Sequence, residues 1–325
     1  MPKPLDEFGR IARFFAPLAG KGALGLKDDA ALIDGPDGTQ YVLTADAIVE
    51  GVHFLPDDPA KQIAQKLLRV NLSDLAAKGA VPVGYLLTTA LPKERGEDWL
   101  AGFAAGLAED QARFGIALLG GDSVSTAGPV SLSLTAMGRV PAGRAILRSG
   151  ARAGDRLYVS GTLGDAALGL RVLKGDSGRL PLAHMNALTE RYRLPEPRLA
   201  LGQALIGLAS AAIDISDGLV ADLGHLCDAS GVGATIERAL LPLSSAAQAA
   251  IAQDPAAIAA VLGGGDDYEL LFSAPETAAP ALASLAEKHG VPITAIGRIE
   301  AGATVTVRDE AGRPIDVKVA GYRHF

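Results

Sequence analysis

Glu97 to Asp122 reads EDWLAGFAAGLAEDQARFGIALLGGD, and this stretch decides the fold class. Glu97 to Phe114 predicts a helix, and Ile116 to Leu119 predicts a strand that ends in Gly120-Gly121-Asp122. A helix leading directly into a short apolar strand is a unit of an α/β protein. Outward from it, Val83 to Ala90 and Val130 to Val140 read as two further strands. Pro59 to Lys78 places Ile63, Leu67, Val70 and Leu75 at helical spacing before Gly79, which predicts a helix with Asp74 in its later turns. Tyr41 to Ala45 is a short apolar strand ending at Asp46. Leu5, Phe8, Ile11, Ala12 and Phe15 predict a first helix over Leu5 to Leu18, stopped at Gly20. Around Pro141 to Gly154 the chain turns rich in Gly, Ala and Arg. That shift divides an N-terminal domain, residues 1–140, from a C-terminal α/β domain, residues 141–325. Strands of the second unit are expected at 156–160, 211–215, 234–237, 269–273, 293–299 and 304–308, with helices between them.

The composition bounds the chemistry. In 325 residues, 30 Lys plus Arg face 37 Asp plus Glu for a formal charge of −7, and 49% of the chain is hydrophobic. Disorder, which needs low hydrophobicity with high net charge, is excluded. The acidic balance and the lack of a Lys/Arg block argue against a nucleic-acid surface. One cysteine, Cys227, removes any internal disulfide or Cys-based zinc cage. No signal pattern opens the chain, and nothing approaches the ~18 uninterrupted apolar residues of a membrane span. The expectation is a soluble cytoplasmic protein that binds neither nucleic acid nor membrane.

Absences narrow the chemistry further. Neither Gly-x-x-x-x-Gly-Lys-Ser/Thr nor Gly-x-Gly-x-x-Gly after a strand is present, and neither is a Gly-x-Ser-x-Gly elbow. The five histidines, among them His53, form no zinc motif. What remains is acidic: Asp28-Asp29, Asp46, Asp74 in Asn-Leu-Ser-Asp, Asp122 after Gly-Gly, Asp214 and Asp217 in Asp-Ile-Ser-Asp-Gly, and Asp266-Asp267 after three glycines. Ligands bind at strand ends of α/β sheets, and carboxylates gathered there repel one another unless cations bridge them. Mg²⁺ takes hard oxygen ligands and shares them with substrate phosphates, so a Mg²⁺ cluster would supply the charge that a Walker lysine supplies elsewhere. Any one of these aspartates, taken alone, is more often a helix cap or turn residue than a functional one. By the same default, His53 is a packed histidine, and Arg144 and Arg148 are salt-bridge residues between domains. Five separate strand-end or turn motifs with one chemistry, Asp74 in its helix set aside, are hard to explain as five independent caps.

The order of the motifs resembles the thiamine-monophosphate kinase family of the aminoimidazole-ribonucleotide-synthetase-like superfamily. The residues that carry it are Asp28-Asp29-Ala30-Ala31, Thr44-Ala45-Asp46, Gly51-Val52-His53-Phe54, Asn71 to Ala80, Gly120-Gly121-Asp122, Gly143 to Gly150, Asp214 to Leu219, Gly264 to Leu270 and Gly321 to Phe325. The resemblance implies a two-domain α/β (α+β) fold whose N-terminal domain pairs with its copy in a homodimer. It implies ATP-dependent phosphorylation of thiamine monophosphate to thiamine diphosphate, by direct in-line attack with Mg²⁺ and no phosphoenzyme. Carried over position by position, Asp29, Thr44, the backbone of Ala45, Asp46, Asp74, Asp122, Asp214 and Asp217 look like ligands to several Mg²⁺ ions. Gly121, Asp122, Arg148 and Ser216 look like ATP contacts, and His53, Asp266 and Tyr322 look like contacts to thiamine monophosphate. No general base is implied; Asp46 and Asp122 are the most critical residues. Lys27 stands where the family usually has Gly, Ala45 where it often has Thr, and Asp266 where it often has Glu. Cys227 fits neither the N-terminal cysteine of selenophosphate synthetase nor the C-terminal one of the hydrogenase-maturation relative. An aminoimidazole ribonucleotide synthetase, and a nucleotide-binding regulator without turnover, remain as alternatives.

Overall fold

The computed structural model describes residues 7–176, 178–315 and 321. The first element is one α-helical turn, α1 (Glu7–Arg10), which widens into a π-helical turn at Ile11–Phe15 and tightens into a 3₁₀ turn at Ala16–Leu18. None of these residues is buried. The helix expected over Leu5 to Leu18 is therefore an irregular surface segment, and Leu5 lies outside the described residues. Phe8 packs on His225 with ring centroids 4.2 Å apart, but no residue of the stripe becomes buried, and Pro17 cannot donate to a regular helical ladder.

Five strands build the first sheet: β1 (Ala31–Asp34), β2 (Thr39–Val49), β3 (Val81–Pro92), β4 (Ala117–Thr126) and β5 (Ser131–Pro141), in the order β1-β2-β5-β3-β4. Only β3 and β4 are parallel. The crossover between them is α3 (Glu97–Phe114), while α2 (Ala60–Ala77) precedes β3. The second sheet takes β6 (Arg156–Ser160), β7 (Ala211–Asp214), β8 (Gly233–Glu237), β9 (Leu270–Ala274), β10 (Ile293–Glu300), β11 (Val305–Arg308) and β12 (Pro314–Ile315), in the order β12-β11-β8-β10-β6-β9-β7. Its helices are α4 (Asp165–Leu173), α5 (Leu182–Arg193), α6 (Leu199–Ala204), α7 (Leu219–Ser230), α8 (Ser245–Gln253), α9 (Ile258–Gly263) and α10 (Ala279–His289). Among the described residues, no helix is long and apolar enough to cross a membrane.

Two strands outrun their sequence signal. β2 continues to Val49 instead of ending at Asp46, and β4 continues to Thr126 instead of ending at Leu119. Both are laddered throughout, β2 against β5 up to Val49↔Ser131 and β4 against β3 up to Pro92↔Thr126. Asp46 and Asp122 thus sit inside strands rather than at strand ends, because backbone pairing does not require apolar side chains. Strands β1, Ala-Leu-Ile-Asp, and β12, Pro-Ile, are too short to announce themselves by alternation.

α2 fixes the position of everything else. It packs on β2 and β5 on one side and on α6 and β7 on the other. Every residue from Ile63 to Ala80 is buried except Asp74. One core cluster consequently runs from Leu67, Leu68 and Leu72 across to Leu201, Leu205 and Phe272 of the second unit. The approach of α6 to α2 depends on Gly202, where a Cβ would lie 2.0 Å from the Ala76 carbonyl oxygen. Backbone cannot yield as a side chain can, so Gly202→Ala should cost at least about 1–3 kcal/mol. Urea denaturation reads this directly, and an unchanged midpoint would mean the two helices separate freely.

Candidate active site

A cavity of about 810 Å³ opens where α2 faces both sheets. Its walls include Asp29, Thr44, Ala45, Asp46, His53, Asp74, Arg148, Asp214, Ser216, Asp217 and Asp266. The reasons are local. Along β2 the even positions share one face, so Thr44 and Asp46 continue the line of Val42 and carry polar atoms to the cavity. Asp74 lies on the same helical stripe as Ile63, Leu67 and Val70 and is the one opening in the buried run of α2. Asp214 ends β7, and Ser216 and Asp217 follow in the turn before α7. Gly121 and Asp122 do not line this cavity; they lie on exposed β4. At Gly121 a Cβ would stand 1.8 Å from the Leu87 carbonyl oxygen, which is a packing reason for glycine there. Tyr322, with the terminal motif after Gly321, lies outside the described residues.

Carboxylate oxygens of Asp29, Asp74 and Asp214 all come within 4.8 Å of one another. Thr44 Oγ1 donates to Asp74, and the Asp46 amide donates to Asn71 Oδ1 at 3.2 Å, tying β2 to α2. Burial, reinforced by the charges of Asp46, Asp214 and Asp29, raises the Asp74 carboxyl well above its ordinary value. Burial, then the negative charge of Asp29, pushes Asp214 up to about 7. Burial raises Asp46 as well. Asp29 behaves oppositely: burial works against its charge, but Lys78 and Arg148 overcome that and hold its carboxyl below the usual range. Lys78 Nζ sits 2.5 Å from both Asp28 and Asp29, and Arg148 Nε donates to Asp29 at 2.9 Å. Among the described residues no Lys or Arg forms an ion pair with Asp46, Asp74 or Asp214. Converging, buried, all-oxygen donors in charge deficit are what a Mg²⁺ ion requires, so these residues fit that ion.

Several residues that shape the site escaped sequence reading. Asp222, in the first turn of α7, accepts the N–H groups of Ser216, Asp217 and Gly218 on one oxygen at 3.0–3.1 Å and so fixes that turn. Glu269, fully buried, receives Ser160 Oγ at 2.6 Å, Arg198 Nε at 2.7 Å and Arg191 Nη2 at 3.0 Å, anchoring the end of the Gly-Gly-Gly-Asp-Asp loop. Lys78 stood within the quoted Asn71 to Ala80 motif, and a lone lysine ending a buried helical face was its signal.

Asp267 turns away from solvent, accepts the Gly164 amide at 2.8 Å, and is pushed by burial up to about 8. A carboxyl raised in the folded state holds a proton that the unfolded chain has released, so its contribution to stability is lost as pH rises from about 4 to about 8. Asp267→Asn keeps the acceptor and removes the titration. Thermal unfolding at pH 5 and pH 8 should show a smaller decline in the variant than in the parent; equal declines would mean Asp267 stays ionised.

Comparison with known proteins agrees with this architecture. Residues 27–140 match the family model of the AIR synthase related protein, N-terminal domain, and residues 152–310 match that of the C-terminal domain. A thiamine-monophosphate kinase of Caulobacter vibrioides is 43% identical over 99% of this chain and 91% of its own. That of Escherichia coli K12 is 41% identical over 98% of both. The solved structure described as AaThiL complexed with AMPPCP and TMP superposes with a TM-score of 0.86 at 31% identity, covering 99% of this chain and 97% of that one. A thiamine-monophosphate kinase from Stenotrophomonas maltophilia gives 0.78 at 44% identity, over 93% and 96%.

Proposed function

Since the chain belongs to the thiamine-monophosphate kinase family, we propose that its cavity joins ATP to thiamine monophosphate and yields thiamine diphosphate and ADP. The observation that carries this reading is the convergence of Asp29, Asp74 and Asp214, from three remote parts of the chain, in one cavity beside Arg148, His53 and Asp266. A phosphate oxygen of thiamine monophosphate attacks the γ-phosphorus of ATP in line. One P–O bond forms, the bond to the β-bridging oxygen breaks, and its electron pair leaves with ADP. The attacking phosphate has its second pKa near ~6 and is largely deprotonated at neutral pH, so no general base is required. Positioning and neutralisation of charge then carry the catalysis.

Asp29, Thr44, the Ala45 carbonyl, Asp46, Asp74, Asp214 and Asp217 would hold Mg²⁺, which offsets the charge of two phosphorylated substrates as they meet. Arg148 and Ser216 would bind ATP, with the turn of Ser216 held by Asp222. His53 and Asp266 face the thiamine side. His53 Nδ1 accepts the Val49 amide at 3.0 Å, so the proton of its neutral ring resides on Nε2. The reading divides the chain at residues 1–140 and 141–325 and places the reaction in the cytoplasm.

The same reading extends to a homodimer. β4 is the outer strand of its sheet, and Leu118, Leu119 and Val124 on it are 46%, 60% and 48% exposed. An apolar strand edge of this length is normally covered, and pairing with a second copy would cover it and bring Gly121 and Asp122 toward a partner. Sedimentation should give twice the chain mass, and Leu119→Lys should shift it toward monomer. A wild-type monomer at micromolar concentration would overturn the dimer.

The decisive experiment incubates the purified protein with ATP, Mg²⁺ and thiamine monophosphate and separates the products. Thiamine diphosphate formed in step with ADP is the expected result. ATP binding with no product would overturn the kinase reading in favour of a regulator.

A further inference from the structure

Lys66 lies in the middle of α2 with 3% of its side chain exposed, eight residues before Asp74, the residue of that helix named above as a metal ligand. An ammonium so placed needs a partner for each of its three donors. Its Nζ donates to the His53 carbonyl at 2.9 Å and to Asp266 Oδ2 at 3.0 Å, and it stands 3.9 Å from the centre of the Tyr192 ring. Tyr192 Oη in turn donates to the same His53 carbonyl at 3.3 Å. All three partners, His53, Asp266 and Tyr192, line the cavity, although Lys66 itself stands behind its wall. They belong to three separate segments: the loop after β2, the glycine-rich loop before β9, and α5. The Lys66–Asp266 pair spans 200 positions of sequence and joins the two halves of the molecule at one flank of the cavity. Asp266 sits in left-handed backbone at φ 73°, a region that Asp enters more readily than most residues.

We infer that Lys66 is a positioning residue for the thiamine side of the cavity: it locks Asp266, His53 and Tyr192 into one recognition wall across the two halves. The inference rests on the functional reading above and deepens it. A thiamine ring system is cationic and aromatic, so it calls for a carboxylate and an aromatic face at fixed separation. Lys66 supplies the fixation by taking one Asp266 oxygen and the rear of the Tyr192 ring, leaving the other oxygen to the substrate. It makes no contact of its own with nucleotide in this arrangement.

The test is steady-state kinetics of Lys66→Met, Asp266→Asn and the double variant with both substrates varied. Methionine keeps the length and apolar stem of lysine, and Asp266, 26% exposed, stays hydrated without its partner. Lys66→Met should raise KM for thiamine monophosphate by about ten- to a hundred-fold, leave KM for ATP within about two-fold, and change kcat less than KM. The double variant should be no worse than the poorer single variant, since both remove one unit. An equal rise in both KM values, independent multiplication of the two effects, or a fall in unfolding temperature with KM unchanged would each overturn the inference. Lys66→Gln, which keeps a donor for the His53 carbonyl, replaces the Met variant if that one does not fold, with the same expectations. Wild-type protein that forms no thiamine diphosphate overturns the functional reading and this inference together. Normal wild-type turnover with unaltered KM in Lys66→Met overturns the inference alone.

Discussion

Asp74→Asn is expected to reduce thiamine diphosphate formation on the order of a thousand-fold while leaving the metal-free protein as stable as the parent, or more so. The two halves of this expectation share one cause. Asp74 is the single opening in the buried run of α2, and its carboxylate meets those of Asp29 and Asp214 within 4.8 Å. Without a cation the cluster repels itself, and burial with neighbouring negative charge has already driven the Asp74 carboxyl well above its ordinary value. Asparagine is isosteric, still accepts from Thr44, and removes one of the repelling charges. At neutral pH it therefore relieves the free protein, while the cation that would bridge substrate phosphates loses a ligand. A protein that only needed Asp74 as a helix residue would show neither effect. Product formation and thermal unfolding, each with and without Mg²⁺, separate the outcomes. The parent should gain stability on adding Mg²⁺ and the variant much less. Retained turnover, or a loss of metal-free stability, would show that Asp74 is no ligand.

Lys78→Met carries the largest expected effect on folding, about 3–5 kcal/mol. Lys78 is wholly buried, with Asp28 and Asp29 each 2.5 Å from its Nζ and the Ala212 carbonyl at 3.3 Å. Burial lowers an ammonium pKa, yet the charges of Asp29 and Asp28 more than reverse that, so Lys78 stays charged throughout the neutral range. Methionine would leave two carboxylates, 5% and 1% exposed, with only Arg148 to answer them. A buried charge stripped of its partner costs far more than the intact pair contributes. Chemical denaturation measures the difference. A loss under about 1 kcal/mol would mean that the Asp28-Asp29 loop can swing into water, and that the pocket is not held from below by Lys78.

α2 shows where local patterning stops being informative. Ile63, Leu67, Val70 and Leu75 announce a helix by their spacing, and the structure runs it from Ala60 to Ala77. The same spacing says nothing of Lys66 and Arg69, which look like solvent-facing residues until the second half of the chain closes over them. Arg69 then pairs with buried Asp110, 41 residues away, and Lys66 with Asp266. On the strands, the charged Asp46 within β2 and the polar end of β4 hid their true length, because a ladder is made by backbone and its partner lies elsewhere in the chain.

The two α/β units, the run of acidic motifs and the family they point to are legible along the chain, since each is written in residues close together. Folding alone settles which aspartates share a cavity, that Lys78 and Arg148 form ion pairs with Asp29 while, among the described residues, no Lys or Arg does so with Asp74 or Asp214, and that Gly121 and Asp122 lie on an open strand edge. The reason is physical: periodicity fixes which way a side chain faces on its own element, whereas charge balance is set by groups 50 to 200 residues apart that meet only when the two sheets enclose α2.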